Sequence, residues 1–218
     1  MSVARNTLVQ SSLTLGSRIL GMVRDILLIA KIGAGPIGDA WATAQQFPNL
    51  FRRIFAEGAF ASAFVPTYAR TLEAEGAEAA RDVAQEALRV LFAATAALTI
   101  LAQVFMPWVL LLIHGGQADD PESYGLAVLL TRITMPYLTF MAIAALLSGV
   151  LNSAERFILS AGAPTLLNLS LIPAAFVAPD AKGTALAAAL AYFVAGVLQA
   201  GALWWGVNRQ KVRLSLIG

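Results

Sequence analysis

Residues 17–66 read SRILGMVRDILLIAKIGAGPIGDAWATAQQFPNLFRRIFAEGAFASAFVP. By hydropathy they describe two membrane-spanning helices. Their charges argue against an ordinary lipid-facing pair: the stretch holds Arg18, Arg24, Asp25, Asp39, Arg52, Arg53 and Glu57. An Arg, Lys or Asp at the centre of a spanning helix costs about 2.5–3.5 kcal/mol on insertion scales. Such residues persist where they face one another or a wet cavity. A polar cavity along these two helices is therefore the first expectation.

The rest of the chain reads as the scaffold for that cavity. It has 218 residues, 58% hydrophobic and 13% charged, with mean hydropathy +0.71. A soluble domain carries about 25% charged residues, so the composition is that of an all-α integral membrane protein. The net charge of +2 is spread over loops and helix interiors, which is not the basic patch of a nucleic-acid binder. With no cysteine there is no disulfide framework or thiolate site. The single histidine, His114, excludes any motif needing two. No metal and no cofactor is expected. The first apolar stretch is long, charged and without an obvious cleavage site, so it is expected to stay in the mature chain.

Turn signals and apolar runs predict six spanning helices, at about 8–32, 37–68, 86–113, 124–151, 157–177 and 184–207. The second exceeds the about 30 Å hydrocarbon core at about 1.5 Å per residue, so it must tilt, bend or project. Pro48 supplies a bend, since it has no N–H for the Ala44 carbonyl. Pro66 marks a second weak point. Pro136 bends the fourth segment, and Pro164 and Pro173 interrupt the fifth. The charged, alanine-rich run 70–85 reads as a surface helix. Short loops on one side hold Arg5, Arg70, Arg81, Arg156, Arg209, Lys211 and Arg213; the other side keeps Lys31 and Lys182 beside Asp119, Asp120 and Glu122. By the positive-inside rule both ends of the chain are cytoplasmic.

Ser17, Gly21 and Asp25 recur every four residues and share one helical face. Ser17 and Gly21 are also a small-xxx-small pair that admits a neighbouring helix. Arg18 lies beside that face, and Arg24 about 100° from Asp25. Gln45, Asn49, Arg53 and Glu57 share a face of the second segment. Arg53 and Glu57 read as an internal pair at i, i+4, leaving Arg52 as the better ligand candidate. Asp39 is either an interfacial, cap-like acid or a cavity residue. Arg132 reads as snorkelling outward, His114 as interfacial, and Asn152 and Asn168 as polar groups bonding across helices. On the two charged segments four arginines face three acids. A cavity of that sign suits an anion, and guanidinium matches phosphate oxygens with paired hydrogen bonds.

SRILGMVRD, GAG…DA and FPNLFRRIFAEGAFASAFVP resemble the lipid II flippase family (MurJ/MviN), within the multidrug, oligosaccharidyl-lipid and polysaccharide exporter superfamily. The likeness continues at Pro107-Trp108, MPY (135–137), LNSAERF (151–157) and APTLLNLS (163–170). The resemblance implies transport of an undecaprenyl-pyrophosphate-linked peptidoglycan precursor across the bacterial inner membrane, by alternating access between two six-helix lobes. It implies that residues 1–218 are the N-terminal lobe, with membrane lipid and a second lobe as partners. It makes Arg18, Arg24 and Arg52 cavity residues, Asp25 and Asp39 functionally sensitive, and Asn49 and Glu57 conformational or packing residues. The family is about twice this long, so the chain is expected to be a fragment, a truncated product or half of a pair. Competing expectations are export of another polysaccharide lipid or a small molecule, and a non-transporting membrane fragment. An intramembrane prenyl-pyrophosphate enzyme would need acid clusters or a histidine nucleophile; Asp119-Asp120 lies in a loop and His114 stands alone.

Overall fold

The computed structural model describes residues 3–55, 59–113, 121–210, 212 and 214–215, without the side chains of 3–10 and 59. Among the described residues the chain is all helix, with no strand. The order is α1 (Val3–Ile32), α2 (Pro36–Phe55), α3 (Ala59–Ala74), α4 (Ala77–Ile113), α5 (Pro121–Thr134), α6 (Tyr137–Ser153), α7 (Phe157–Leu171), α8 (Ala174–Val177) and α9 (Ala181–Arg209). Among the described residues four segments are long and apolar enough to cross a membrane: α4, α5 with α6, α7 with α8, and α9. The α1 and α2–α3 segments fall short of that measure, and they are the two that carry the charges. These six segments form one helical lobe.

Glycines set the joints. Gly33 and Gly35 have φ of 78° and 106°, a region that L side chains rarely adopt, and they turn the chain between α1 and α2. Pro36 opens α2 where its missing N–H costs nothing. Gly76, at φ 92°, donates its N–H to the Thr71 carbonyl (3.2 Å) and accepts from the Ala80 N–H (3.2 Å). One residue thus ends α3 and starts α4.

Prolines leave orphaned carbonyls, and neighbouring helices satisfy two of them. Pro48 cannot serve the Ala44 carbonyl, which accepts from the Thr134 hydroxyl of α5 at 3.4 Å. Pro136 cannot serve the Arg132 carbonyl, which accepts from the Gln103 side-chain amide of α4 at 2.9 Å. In lipid an unsatisfied backbone group costs several kcal/mol, so these side chains make the kinks tolerable. Gln103→Leu is expected to destabilise the lobe by about 1–3 kcal/mol, read as a lower melting temperature in detergent. Gln103→Glu, which keeps a polar group there, should not restore it, because a carboxylate has no proton to donate.

The α5–α6 segment is the centre of the bundle. Its most apolar stretch is 72% buried, against 17% for α4. α5 packs on α2, α4 and α9, and α6 packs on α9, α4, α3, α2 and α7. Small residues let α9 approach: a Cβ on Gly196 would sit 2.9 Å from the Phe140 Cβ. α1 leans on α7 and α9, α2 on α5 and α6, and α1 and α2 scarcely touch each other. The two charged helices therefore stand apart across the face of the bundle.

Three boundaries differ from the sequence reading. The run 70–85 is not one surface helix: α3 continues to Ala74 and α4 begins at Ala77. Gly76 decides this, since its left-handed φ breaks the run. The third segment consequently starts at Ala77 and not at 86, as one 37-residue helix. Pro164 lies inside a continuous α7; the break falls at Ile172–Pro173. α2 also continues through Pro48, and α3 through Pro66.

Candidate functional site

The site begins with a buried amide. Asn168 of α7 is 4% exposed and faces α1. Its Nδ2 donates to the Ser17 carbonyl at 2.7 Å and lies 3.4 Å from the Ser17 hydroxyl. Gly21 leaves room for it: a Cβ there would meet Asn168 Oδ1 at 3.6 Å, ordinary contact, so a larger side chain would displace the amide. Asn168 Oδ1 then accepts from Arg24 Nη1 at 2.9 Å. On its other edge Arg24 donates from Nε to Asp25 Oδ1 (2.9 Å), and Nη2 stands 2.7 Å from the same oxygen as an ion pair. Arg24 is 16% exposed at its side chain and Asp25 49%.

That geometry fixes the guanidinium. It has five N–H hydrogens in a rigid fork. Asp25 and Asn168 between them engage all three nitrogens, which holds the planar group in place. A guanidinium matches phosphate oxygens with paired hydrogen bonds. Asp25 sits beside Arg24 and pairs with it through one oxygen.

Arg52 lies elsewhere, at a cavity of about 300 Å³. The lining comes from α1, α2, α3, α6, α7 and α9. Arg52 is the one charged side chain that lines it among the described residues; Asn152, Ser160, Tyr137 and Gln199 add neutral polar groups. The Tyr137 hydroxyl donates to Gln199 Oε1 (3.1 Å), and Gln199 Nε2 donates to the Ala163 carbonyl (2.9 Å), tying α6, α9 and α7 together. The Ser160 hydroxyl bonds Asn152 Oδ1 at 2.5 Å. Beyond Tyr137 the space is closed by Tyr192 and Trp41, with ring centroids 5.4 and 6.1 Å apart along the chain of three. Thr14 belongs both to this cavity and to a groove of about 370 Å³ lined by Ser11, Leu15 and Arg18.

The structure does not gather all the candidate residues. Arg52 lines the cavity and Arg18 the groove, two spaces that share Thr14, while Arg24 and Asp25 line neither and stand on the α1–α7 seam. Asp39 is exposed in the first turn of α2 and lines neither space. Asn49 and Arg53 are exposed on the outward face of α2, while Pro48 is buried. Glu57, and with it the Arg53–Glu57 pair, lies outside the described residues, as does His114. Arg132 does not simply reach outward: its Nε is buried, with no hydrogen-bond partner among the described residues. The sequence reading missed Tyr137 and Gln199, whose bond joins positions 62 apart in the chain.

Comparison with known proteins then decides the family. The family described as "Lipid II flippase MurJ" matches residues 29–217. The chain belongs to the MurJ lipid II flippase family. It is 41% identical to a probable lipid II flippase MurJ of Rhizobium tropici over 224 residues, covering 99% of this chain and 42% of that one. It is 40% identical to the lipid II flippase MurJ of Burkholderia cenocepacia, covering 91% and 39%. A solved structure titled lipid II flippase MurJ, inward closed conformation, matches with TM-score 0.77 at 27% identity, over 96% of this chain and 44% of that one. The chain thus spans about two fifths of the length of these MurJ relatives. Within the family it is a multi-pass membrane lobe.

Proposed function

We propose that this lobe forms one wall of a pyrophosphate-capturing cavity in a flippase for an undecaprenyl-pyrophosphate-linked peptidoglycan precursor of the bacterial inner membrane. The supporting observation is the Arg24 guanidinium, part-buried and oriented by Asp25 and Asn168. Arg18 and Arg52 add charge on the flanking spaces. The excess of basic residues in the loops on one side supports a cytoplasmic place for both ends of the chain.

The opposite wall belongs to a second lobe. α2 turns a polar stripe outward, with Asp39, Gln46, Asn49 and Arg53 exposed. Lipid would penalise that stripe, so it faces a wet cleft or a partner helix. Rocking of two such bodies about a shared site gives alternating access. The pyrophosphate travels through the arginine-lined path while the polyprenyl tail stays in lipid, and no bond is made or broken.

Arg52→Ala in the full-length protein is expected to lower transport by at least about tenfold, the loss of one charge-assisted interaction, with expression and melting temperature unchanged. Normal transport, measured by complementation or by labelling of externalised precursor, would overturn the assignment of Arg52.

A further inference from the structure

α4 is 37 residues long, about 55 Å at helical rise, against an about 30 Å hydrocarbon core. Its first turns therefore stand outside the membrane. They expose Glu78, Arg81, Asp82 and Glu86 and bury Ala80, Ala84 and Leu88 on the other side.

The chain that leaves α9 returns to this helix. Arg209 stacks over Trp205, with its guanidinium carbon 4.0 Å from the ring centroid. The helix closes at Gln210, and Leu214, 7% exposed, enters the core cluster that holds Leu88, Leu151, Leu203 and Val207. Val212 packs against the same cluster. At Ser215 the Gln85 side chain satisfies both main-chain groups of one residue. Its Nε2 donates to the Ser215 carbonyl, and its Oε1 accepts from the Ser215 N–H at 2.7 Å. A primary amide reads a backbone in this way as a neighbouring strand would, whatever the side chain on that residue.

We propose that α4 is a docking surface for the segment that follows the sixth span, and that Gln85 and the Leu214 pocket clasp it. The chain through Ser215 then moves with this lobe as one body. The joint between this lobe and the next part of the protein begins after Ser215 and not at the end of α9. The proposal rests on family membership for the existence of a following part, and is independent of the pyrophosphate reading.

The test uses the full-length protein, with any cysteine outside residues 1–218 replaced, since these residues contain none. Arg209, Lys211 and Arg213 are trypsin sites just before Leu214 and Ser215. Gln85→Ala and Leu214→Gln should each raise cleavage there by about tenfold or more, since local opening governs proteolysis. A Gln85→Cys, Ser215→Cys pair should oxidise readily and leave transport intact. Cleavage at the wild-type rate in both single variants would overturn the clasp. Transport lost on oxidation and restored by a reductant would also overturn it, because the segment would then have to leave α4 during the cycle. Arg52→Ala, run alongside, should lose transport with trypsin cleavage unchanged, which separates a failure here from a failure of the pyrophosphate reading.

Discussion

Arg24→Ala in the full-length protein is expected to abolish transport, and Arg24→Lys to recover little of it. The alanine variant removes the fork outright. The lysine variant keeps the charge but not the geometry. An ammonium is a compact point charge on a flexible stem, and cannot serve Asp25, Asn168 and a phosphate edge as a planar guanidinium does. A loss of about tenfold or more for lysine corresponds to about 1.4 kcal/mol of lost interaction, the scale of one charge-assisted hydrogen bond. Transport rates measured on reconstituted protein, with melting temperatures alongside, check both variants. If lysine restores full transport, charge alone suffices and the held fork is not what the site requires.

Asn168→Leu is the second large effect. The substitution keeps the branching and the number of heavy atoms and removes two bonds. Arg24 Nη1 loses its acceptor, and the Ser17 carbonyl loses the amide donor. The Ser17 carbonyl keeps its helical N–H donor, so the cost falls chiefly on the part-buried Arg24 Nη1, about 1–3 kcal/mol for a buried donor left unpaired, and the variant is expected to melt earlier. Transport should fall by about tenfold as well, because Arg24 keeps only the Asp25 side of its support, and disorder of a positioned group lowers productive binding. A structural role alone would lower stability and leave the remaining folded protein fully active. A positioning role predicts that Arg24→Ala with Asn168→Leu is no worse in transport than Arg24→Ala alone, a coupling that a double-mutant cycle reads directly.

Much of the lobe was legible in the chain because its signals are local. The turn at Gly33–Gly35 and the break at Pro136 follow from single residues whose backbone preferences are strong. The α3–α4 boundary was misplaced because the alanine-rich charged run has high helix propensity throughout, and Gly76 overrides it by its left-handed φ. Pro164 and Pro66 were read as weak points, yet their helices run on. In a lobe whose helices are held by neighbours, proline is accommodated inside a span.

The site was legible in part. The anion preference came from counting charges on two segments. The pairing within it did not, since adjacent residues such as Arg24 and Asp25 point about 100° apart on a helix. Only the length of the arginine side chain lets them meet. Asn168 was marked as a cross-helix polar group, but its partners Ser17 and Arg24 are 151 and 144 positions away in the chain. Spacing along one helix says nothing about such partners. Asp39 drew attention by its place in a charged stretch, and the fold leaves it exposed in the first turn of α2, away from both spaces.

The most direct measurement is binding of an undecaprenyl-pyrophosphate-linked precursor to purified full-length protein, compared with the monophosphate lipid of the same tail. Wild type should prefer the pyrophosphate lipid. Arg24→Ala and Arg52→Ala should bring its affinity down to that of the monophosphate, with the tail contribution intact. Equal affinity of wild type for the two lipids, or undiminished pyrophosphate binding in both arginine variants, would contradict the assignment of this wall as the pyrophosphate-capturing one.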